Sequence, residues 1–216
     1  RVKTLETDRI NLQSTALVHG VTIHGIQMVA PGRRDNPTAY FGRSSGGGLA
    51  LMNHPAYGKE MRVGVLGLGI GTLATYGLPG DVYRFYEINP LIVNLAEGEG
   101  GYFSFLSDSR AQIEIVLGDA RLSLERELLE VGSENYDVLV LDVFSSDAIP
   151  VHLLDKEAFE LYLRHLQPNG ILAVHISNRH LDLIPVVWAL ADYYGLERVV
   201  IDDPGDNHLV YRSIWM

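Results

Sequence analysis

The chain has 216 residues, of which 47% are hydrophobic and 20% are charged, so it can fold around a sizeable core of its own. Its formal net charge is −10, from 17 Lys and Arg against 27 Asp and Glu, and it has no basic run, which argues against binding to nucleic acid. It has no cysteine, which excludes disulfides, thiolate metal sites and cysteine nucleophiles.

The two ends of the sequence look cut. The chain begins with Arg1 rather than Met, and an apolar pattern continues up to Met216. No apolar stretch approaches the roughly 18 residues of a membrane span, and no signal peptide is present. We therefore expect a cytoplasmic domain taken from a longer protein, and membrane segments elsewhere in that protein stay open.

Residues 1–42 are predicted to form a small antiparallel β unit. Their segments are rich in β-branched residues, alternate roughly between apolar and polar positions, and are separated by Gly20 and Gly25. Turn residues fill 31–37, and the cluster of serines and glycines that follows can cap a helix over 49–54. This pattern distinguishes the segment from the rest of the chain.

From about residue 61 apolar strands alternate with helical segments, which predicts a second domain over 43–216. Such alternation implies right-handed crossovers and a mostly parallel sheet. The last two predicted strands, "LERVVID" and "NHLVYRSIWM", have no helix between them and should pair as an antiparallel hairpin. Seven strands with a terminal hairpin are the outline of the α/β, Rossmann-like fold of S-adenosylmethionine-dependent methyltransferases.

A glycine-rich turn follows the first parallel strand. Gly67 and Gly69 come directly after the apolar run, and glycine allows a tight turn and a close approach by a ligand. A dinucleotide fingerprint also has an acid about 20 residues beyond its first glycine, where this chain has Glu87. Thr72 replaces the third glycine, so the turn alone leaves open a dinucleotide, a sulfonium nucleoside or no ligand.

Acids at successive strand ends separate these alternatives. Glu87 ends the second strand and can accept both ribose hydroxyls, because Asn89 and Pro90 already open the next helix. Asp119 follows the third strand, where its carboxylate can accept an adenine amino group with the Ala120 N–H near the ring. The alternative for Asp119 is an N-cap of the following helix. Because a dinucleotide fold needs no acid there, the combination favours a sulfonium nucleoside.

The fourth strand carries a further acid at its tip. Asp142 ends "YDVLVLD", and Asp147 follows five residues later in a polar loop. Two carboxylates in a cleft can take a proton from an amine or hold a cation. The alternative is a polar loop in which Asp147 only caps. Asn178, beyond the fifth strand, can also reach the cleft and is a candidate substrate contact.

Histidines give no predicted metal site. His19 and His24, like His175 and His180, are separated by five positions. Common metal sites use helical i, i+4 pairs or alternate residues of a strand, and this spacing matches neither. We therefore expect no metal.

The motifs together resemble the spermidine/spermine synthases, the aminopropyltransferases. The glycine turn, "YEINP", "GDA" and "YDVLVLD" with its loop acid match that family, and "HGVTIHGIQ" followed by "TAY" is similar to its N-terminal segment. The resemblance covers nearly the whole chain and is closest to bacterial spermidine synthase-like domains fused to membrane segments. It implies transfer of an aminopropyl group from decarboxylated S-adenosylmethionine to a putrescine-like amine in polyamine biosynthesis. A homodimer stays open.

The resemblance also implies how the nucleoside is held. Gln27 would contact the nucleoside or its sulfur-bearing chain, Glu87 the ribose and Asp119 the adenine amino group. The full set of expected nucleoside contacts is Gln27, Gly67, Gly69, Glu87, Ile88, Asp119 and Ala120.

For the transfer itself, the resemblance makes Asp142 the base that deprotonates the attacking amine. Tyr40 and Asp147 would hold that amine. The sulfonium is already a good leaving group, so the enzyme would mainly supply orientation and a base, and no metal is needed.

Departures from the family's pattern keep two other functions open. Ile70 stands where aminopropyltransferases carry an Asp that contacts the donor's ammonium group, and "YFG" stands in place of Tyr-His-Glu. The first alternative is a methyltransferase that uses intact S-adenosylmethionine on a small molecule. The second is a catalytically inactive nucleoside-binding domain of a membrane protein.

Overall fold

The computed structural model describes residues 1–7, 12–19, 22–144, 149–178, 180–206 and 209–216. Its strands are β1 (Val2–Thr7), β2 (Leu12–His19), β3 (Thr22–Met28), β4 (Arg62–Leu66), β5 (Val82–Glu87), β6 (Gln112–Leu117), β7 (Tyr136–Leu141), β8 (Leu166–Val174), β9 (Ile201–Asp203) and β10 (Ser213–Trp215). Its α-helices are α1 (Gly46–Asn53), α2 (Pro90–Ala96), α3 (Phe105–Asp108), α4 (Ala120–Glu130), α5 (Lys156–His165) and α6 (Ile184–Tyr194). Short 3₁₀ turns cover Thr72–Tyr76, Glu99–Gly101 and Val151–Leu153.

The N-terminal segment forms a three-stranded antiparallel sheet in the order β1-β2-β3, as its alternating pattern predicts. Leu17 of β2 packs in one buried cluster with Ile70, Phe103 and Phe105. A Cβ placed on Gly25 would lie 2.6 Å from Cγ1 of Ile70. The N-terminal sheet therefore rests directly on the glycine-rich turn, while a domain boundary at residue 42 stays a prediction.

The main sheet is parallel and has five strands in the order β6-β5-β4-β7-β8, so the prediction of seven strands is wrong. β9 and β10 pair with each other as a separate antiparallel hairpin. Pro204 has no backbone N–H and Gly205 has a φ of +70°, so β9 ends after three residues. The hairpin contacts the sheet beside the end of β8, where Val174 and Met216 exchange backbone hydrogen bonds of 2.7 and 3.0 Å and the Ile176 N–H donates to the Ile214 carbonyl at 2.9 Å.

Helices cover both faces of the parallel sheet. On β7, Val138 and Val140 face one buried cluster, to which α1, α2 and α3 contribute. Leu139 and Leu141 face a second cluster, to which α4, α5 and α6 contribute. Burial on both faces explains why the sequence of β7 is almost continuously apolar.

The helix starts follow their capping residues. The side chains of Asn89, Asp119 and Asp155 each accept a backbone N–H in the first turn of α2, α4 and α5. Ser45 does the same for Gly48 at 3.1 Å, so α1 begins at Gly46 and the helix predicted for 49–54 is three residues longer at its start. Within the described residues, no helix combines the length and the apolar character needed to cross a membrane.

His165 is fully buried at the end of α5, and both of its ring nitrogens have hydrogen-bond partners. Its Nδ1 accepts the backbone N–H of Glu134 at 3.1 Å, and its Nε2 lies 3.0 Å from the Leu124 carbonyl oxygen, to which it donates. Burial lowers the pKa of this imidazole, and the bond to Leu124 and the charges of Glu127 and Glu134 oppose that effect without cancelling it. Protonation is therefore easier in the unfolded chain than in the folded one.

This difference predicts a loss of stability at acid pH. His165 contributes fully to the free energy of unfolding above the pKa of about 6.5 that its ring has in the unfolded chain. This contribution is lost as the pH falls toward the lower pKa of the ring in the folded chain. We expect urea unfolding at about pH 7.5 and about pH 5.5 to show that the free energy of unfolding falls less on acidification in His165→Gln than in the wild type. The exposed His19→Gln is the control, and an equal acid loss in His165→Gln would contradict the assignment.

Candidate active site

The carboxyl ends of the five parallel strands lie in one row. The Gly67 N–H donates to the Tyr86 carbonyl at 2.9 Å, and the Asp142 N–H donates to the Leu66 carbonyl at 2.9 Å. The chain reverses its strand order between β4 and β7, which is where parallel sheets open a crevice for a ligand. From β6 to β8 the residues at this edge are Asp119, Glu87, Gly67, Asp142 and His175.

The glycines of the turn are required by the backbone itself. Gly67 has a φ of +93°, and a Cβ there would lie 2.2 Å from the carbonyl oxygen of Asp142. Gly69 has a φ of +55°, which disfavours other residues. The close approach of β4 and β7 thus accounts for Gly67 without a ligand, so evidence for a nucleoside must come from the acids.

Glu87 is half-buried and holds the glycine turn against the start of α2. Its Oε2 accepts the Leu68 N–H at 3.2 Å, and its Oε1 accepts the Asn89 N–H at 2.8 Å. Each carboxylate oxygen can accept a second hydrogen bond. Ile88 follows with 68% of its surface exposed, which leaves an apolar side chain free to contact a bound ring. Contacts of Glu87 with ribose hydroxyls and of Ile88 with a bound ring stay predictions.

Asp119 caps α4, and this does not prevent it from binding a base. Its Oδ1 accepts the Leu122 N–H at 3.0 Å, and Ala120 behind it is buried. Its Oδ2 lies 3.3 Å from Nε2 of His152, which stands in the 3₁₀ turn after the β7 loop. The helix cap uses Oδ1, and Oδ2 faces the half-exposed imidazole of His152. An adenine amino group could take the place of that imidazole as the partner of Oδ2.

The two roles of Asp119 can be separated by Asp119→Asn. Asn caps helices as well as Asp does, so the free energy of unfolding should change by less than about 0.5 kcal/mol. The neutral amide loses the charged acceptor for the adenine amino group, so we expect nucleoside affinity to fall about tenfold. Titration calorimetry measures the affinity, and Asp155→Asn, at the N-cap of α5, is the control. Unchanged affinity in Asp119→Asn would leave the cap as its only role.

Asp142 is paired with His175, which is not among the site residues that the sequence predicts. Nδ1 of His175 lies 2.6 Å from Oδ1 of Asp142, and the side chains of His175 and Asp142 are 3% and 15% exposed. The His175 N–H donates to the Leu141 carbonyl at 2.9 Å, which sets the two residues side by side on β7 and β8. His175 directly follows the last apolar residue of β8, as Asp142 directly follows β7, and this position is the signal in the sequence that points to it.

Aromatic rings surround this pair. The Trp215 ring stacks on the His175 ring, with centroids 4.3 Å apart and planes within 8°. The centroid of the His175 ring lies 4.8 Å from that of Phe144 and 5.5 Å from that of Tyr40. Tyr40 is half-buried, and the structure places this predicted amine contact beside His175, the partner of Asp142. Aromatic faces attract cations, which suits a site for an amine.

The other predicted amine contacts have different positions. Asn178 follows β8, and its Oδ1 accepts the His180 and Leu181 N–H groups at 2.8 and 2.9 Å, so it shapes its own turn. Asp147 lies outside the described residues. Contact of either residue with a substrate stays a prediction.

Gln27 is buried and bonded within the protein. Its Nε2 donates to the Ser104 hydroxyl at 3.0 Å and to the Arg34 carbonyl at 2.9 Å, and its Oε1 accepts the Ser104 N–H at 2.8 Å. These bonds tie β3 to the residue that precedes α3. A nucleoside contact of Gln27 stays a prediction that would require exchange of at least one of them.

Known proteins resemble part of the sequence of the chain. No protein-family model matches the chain. A polyamine aminopropyltransferase of Vibrio vulnificus is 28% identical over 120 residues, which are 54% of this chain and 38% of that protein. The chain thus matches well under half the length of this relative.

Two solved structures extend the comparison. A probable spermidine synthase from Corynebacterium glutamicum has 20% identity and a TM-score of 0.59, with 99% of this chain and 78% of that chain covered. Human methyltransferase-like protein 13, in complex with SAH, has 19% identity and a TM-score of 0.59, with 78% and 77% covered. The fold is therefore the one that S-adenosylmethionine-dependent methyltransferases and spermidine synthases share.

Proposed function

We propose that the chain is a spermidine synthase-like transferase domain that moves an aminopropyl group from decarboxylated S-adenosylmethionine to an amine. The observation that carries the proposal is the row of carboxylates at the strand ends, with Asp142 at the switch point and Glu87 and Asp119 on the far side of β4. Strands are about 4.8 Å apart, so Glu87 and Asp142 are separated by about 10 Å, enough for a nucleoside to reach from its ribose to its sulfonium. The similarity to the Vibrio aminopropyltransferase supports this donor class.

The reaction needs little from the protein beyond orientation and a base. The lone pair of a neutral amine forms a bond to the carbon next to the sulfonium, the carbon–sulfur bond breaks, and its electron pair stays on sulfur. The products are a secondary amine and the thioether methylthioadenosine, and Asp142 takes the proton that the nitrogen loses. Tyr40 and Phe144 provide aromatic surface beside the amine, whose structure we propose to be putrescine-like.

A second candidate is a methyltransferase that uses intact S-adenosylmethionine. The observation that favours it is Ile70, which is 1% exposed and packs against Leu17, Phe103 and Phe105. At this position the aminopropyltransferases that the sequence resembles carry an acid for the donor's ammonium group. An apolar side chain that faces the N-terminal sheet cannot provide that charge.

Donor binding and product analysis distinguish the two candidates. We expect methylthioadenosine and decarboxylated S-adenosylmethionine to raise the melting temperature more than intact S-adenosylmethionine does, because at equal concentration the ligand that binds more tightly stabilises the folded chain more. Putrescine with the decarboxylated donor should then yield spermidine, detected by mass spectrometry. Methyl transfer from the intact donor would support the second candidate. If no nucleoside changes the melting temperature, both are wrong.

A further inference from the structure

We propose that His175 is a positioning residue for the base, because its neutral imidazole holds Oδ1 of Asp142 and leaves Oδ2 as the oxygen that takes the amine proton. This inference rests on the proposed function. Among the described residues, the bonds to the Asp142 carboxylate involve Oδ1 alone, through Nδ1 of His175 at 2.6 Å. The 15% exposure of the Asp142 side chain is consistent with access to its second oxygen from the crevice.

The hydrogen-bond partners of the ring favour one tautomer of a neutral imidazole. The Ile214 N–H donates to the Ser177 hydroxyl oxygen at 2.8 Å, and that hydroxyl lies 2.8 Å from Nε2 of His175. If the hydroxyl donates to Nε2, the ring proton stands on Nδ1 and is given to Asp142. With this direction, each donor hydrogen among Ile214, Ser177 and His175 has an acceptor, and Asp142 remains a carboxylate. The reverse direction would require a protonated Asp142, which could not act as a base.

Packing keeps the ring in this orientation. His175 is buried, with one face stacked on Trp215 and the Phe144 ring edge-on at 4.8 Å. Trp215 is itself held close to α1, since a Cβ on Gly46 would lie 2.2 Å from Cβ of Trp215. Burial and stacking on Trp215 hold the plane of the imidazole beside Asp142. The position of the carboxylate is therefore set by the fold rather than by the substrate.

The same three side chains also follow the order of a serine nucleophile, its imidazole base and an aspartate. Ser177 differs from such a nucleophile because its oxygen already accepts the Ile214 N–H, which reduces its availability for attack. We therefore assign Ser177 to the support of His175. Covalent labelling of Ser177 by a fluorophosphonate would overturn this assignment.

Two substitutions of His175 test the inference. His175→Phe keeps an aromatic ring against Trp215 and removes both nitrogens, whereas His175→Asn places an amide nitrogen where Nδ1 stood. We expect kcat to fall about 10- to 100-fold in His175→Phe, with the KM for the donor within about twofold of the wild type, because the base is misplaced while the nucleoside site is intact. His175→Asn should recover most of the loss. His54→Phe, at an equally buried histidine outside the row of strand ends, is the control.

A second measurement does not depend on turnover. The nitrogen-15 signals of the His175 ring in the unliganded chain should show a neutral imidazole with its proton on Nδ1. A proton on Nε2, or on both nitrogens near neutral pH, would overturn the inference, as would a normal kcat in His175→Phe. If the wild type transfers no group to any amine, the proposed function is wrong, and the ring signals still decide how His175 holds Asp142.

Discussion

Replacement of Asp142 by Asn is expected to abolish most turnover and to leave nucleoside binding intact. The amide has the shape of the carboxylate and can still accept the His175 Nδ1–H, so the end of β7 should keep its geometry. It cannot take a proton from the amine. Loss of a positioned base typically costs about 100- to 10,000-fold in rate, so we expect kcat to fall within that range. Calorimetric titration with methylthioadenosine should give an unchanged dissociation constant.

A matched substitution on the same strand controls this experiment. Asp137 lies near the start of β7, and its Oδ2 accepts the Arg62 N–H at 2.8 Å, far along the strand from the candidate site. Asp137→Asn should alter stability more than kcat. Wild-type turnover in Asp142→Asn would show that another group is the base, and an equal loss in Asp137→Asn would trace the effect to the fold.

Local sequence signals determine most of the fold that holds the site. The apolar run of β7, the caps at Asn89 and Asp119, and the strand end at Glu87 lie where the pattern places them, because each depends on neighbours a few residues away. The hairpin differs, since Pro204 and Gly205 end β9 after three residues, and the hairpin bonds to the end of β8 through Ile214 and Met216 of its other arm. The number of residues over which a strand pairs depends on the neighbouring strand, and a local sequence pattern holds no information about that neighbour.

The parts of the site that the sequence did not reveal depend on distant contacts. His175 is placed beside Asp142 because Leu141 and Val174 are partners on β7 and β8, 33 positions apart. The resemblance assigns Gln27 to the nucleoside, whereas the structure satisfies its amide with Ser104, 77 positions away. The resemblance places an acid at the position of Ile70, whereas the structure buries this side chain against the N-terminal sheet, where it has a packing role. A sequence motif shows which residue type stands at a position, but it does not show which distant residue that side chain will contact.

Glu87→Ala is expected to weaken nucleoside binding at least about 100-fold, or about 2.7 kcal/mol, because it removes a charged acceptor for two ribose hydroxyls. The same carboxylate holds the Leu68 and Asn89 N–H groups, so the variant should also melt at a lower temperature. Calorimetry well below that temperature isolates the binding effect. Glu97→Ala removes an exposed charge after α2 and is the control.

Glu87→Gln separates the two consequences of losing that carboxylate. Its amide oxygen can still accept the Asn89 N–H, but its NH₂ group would face the Leu68 N–H, so the glycine turn loses one bond rather than two. If the carboxylate binds ribose, affinity falls in both variants while the melting temperature falls more in Glu87→Ala. Affinity that follows the melting temperature across the two variants would instead mean that Glu87 only supports the turn, and the ribose site would have to lie elsewhere along the row of strand ends.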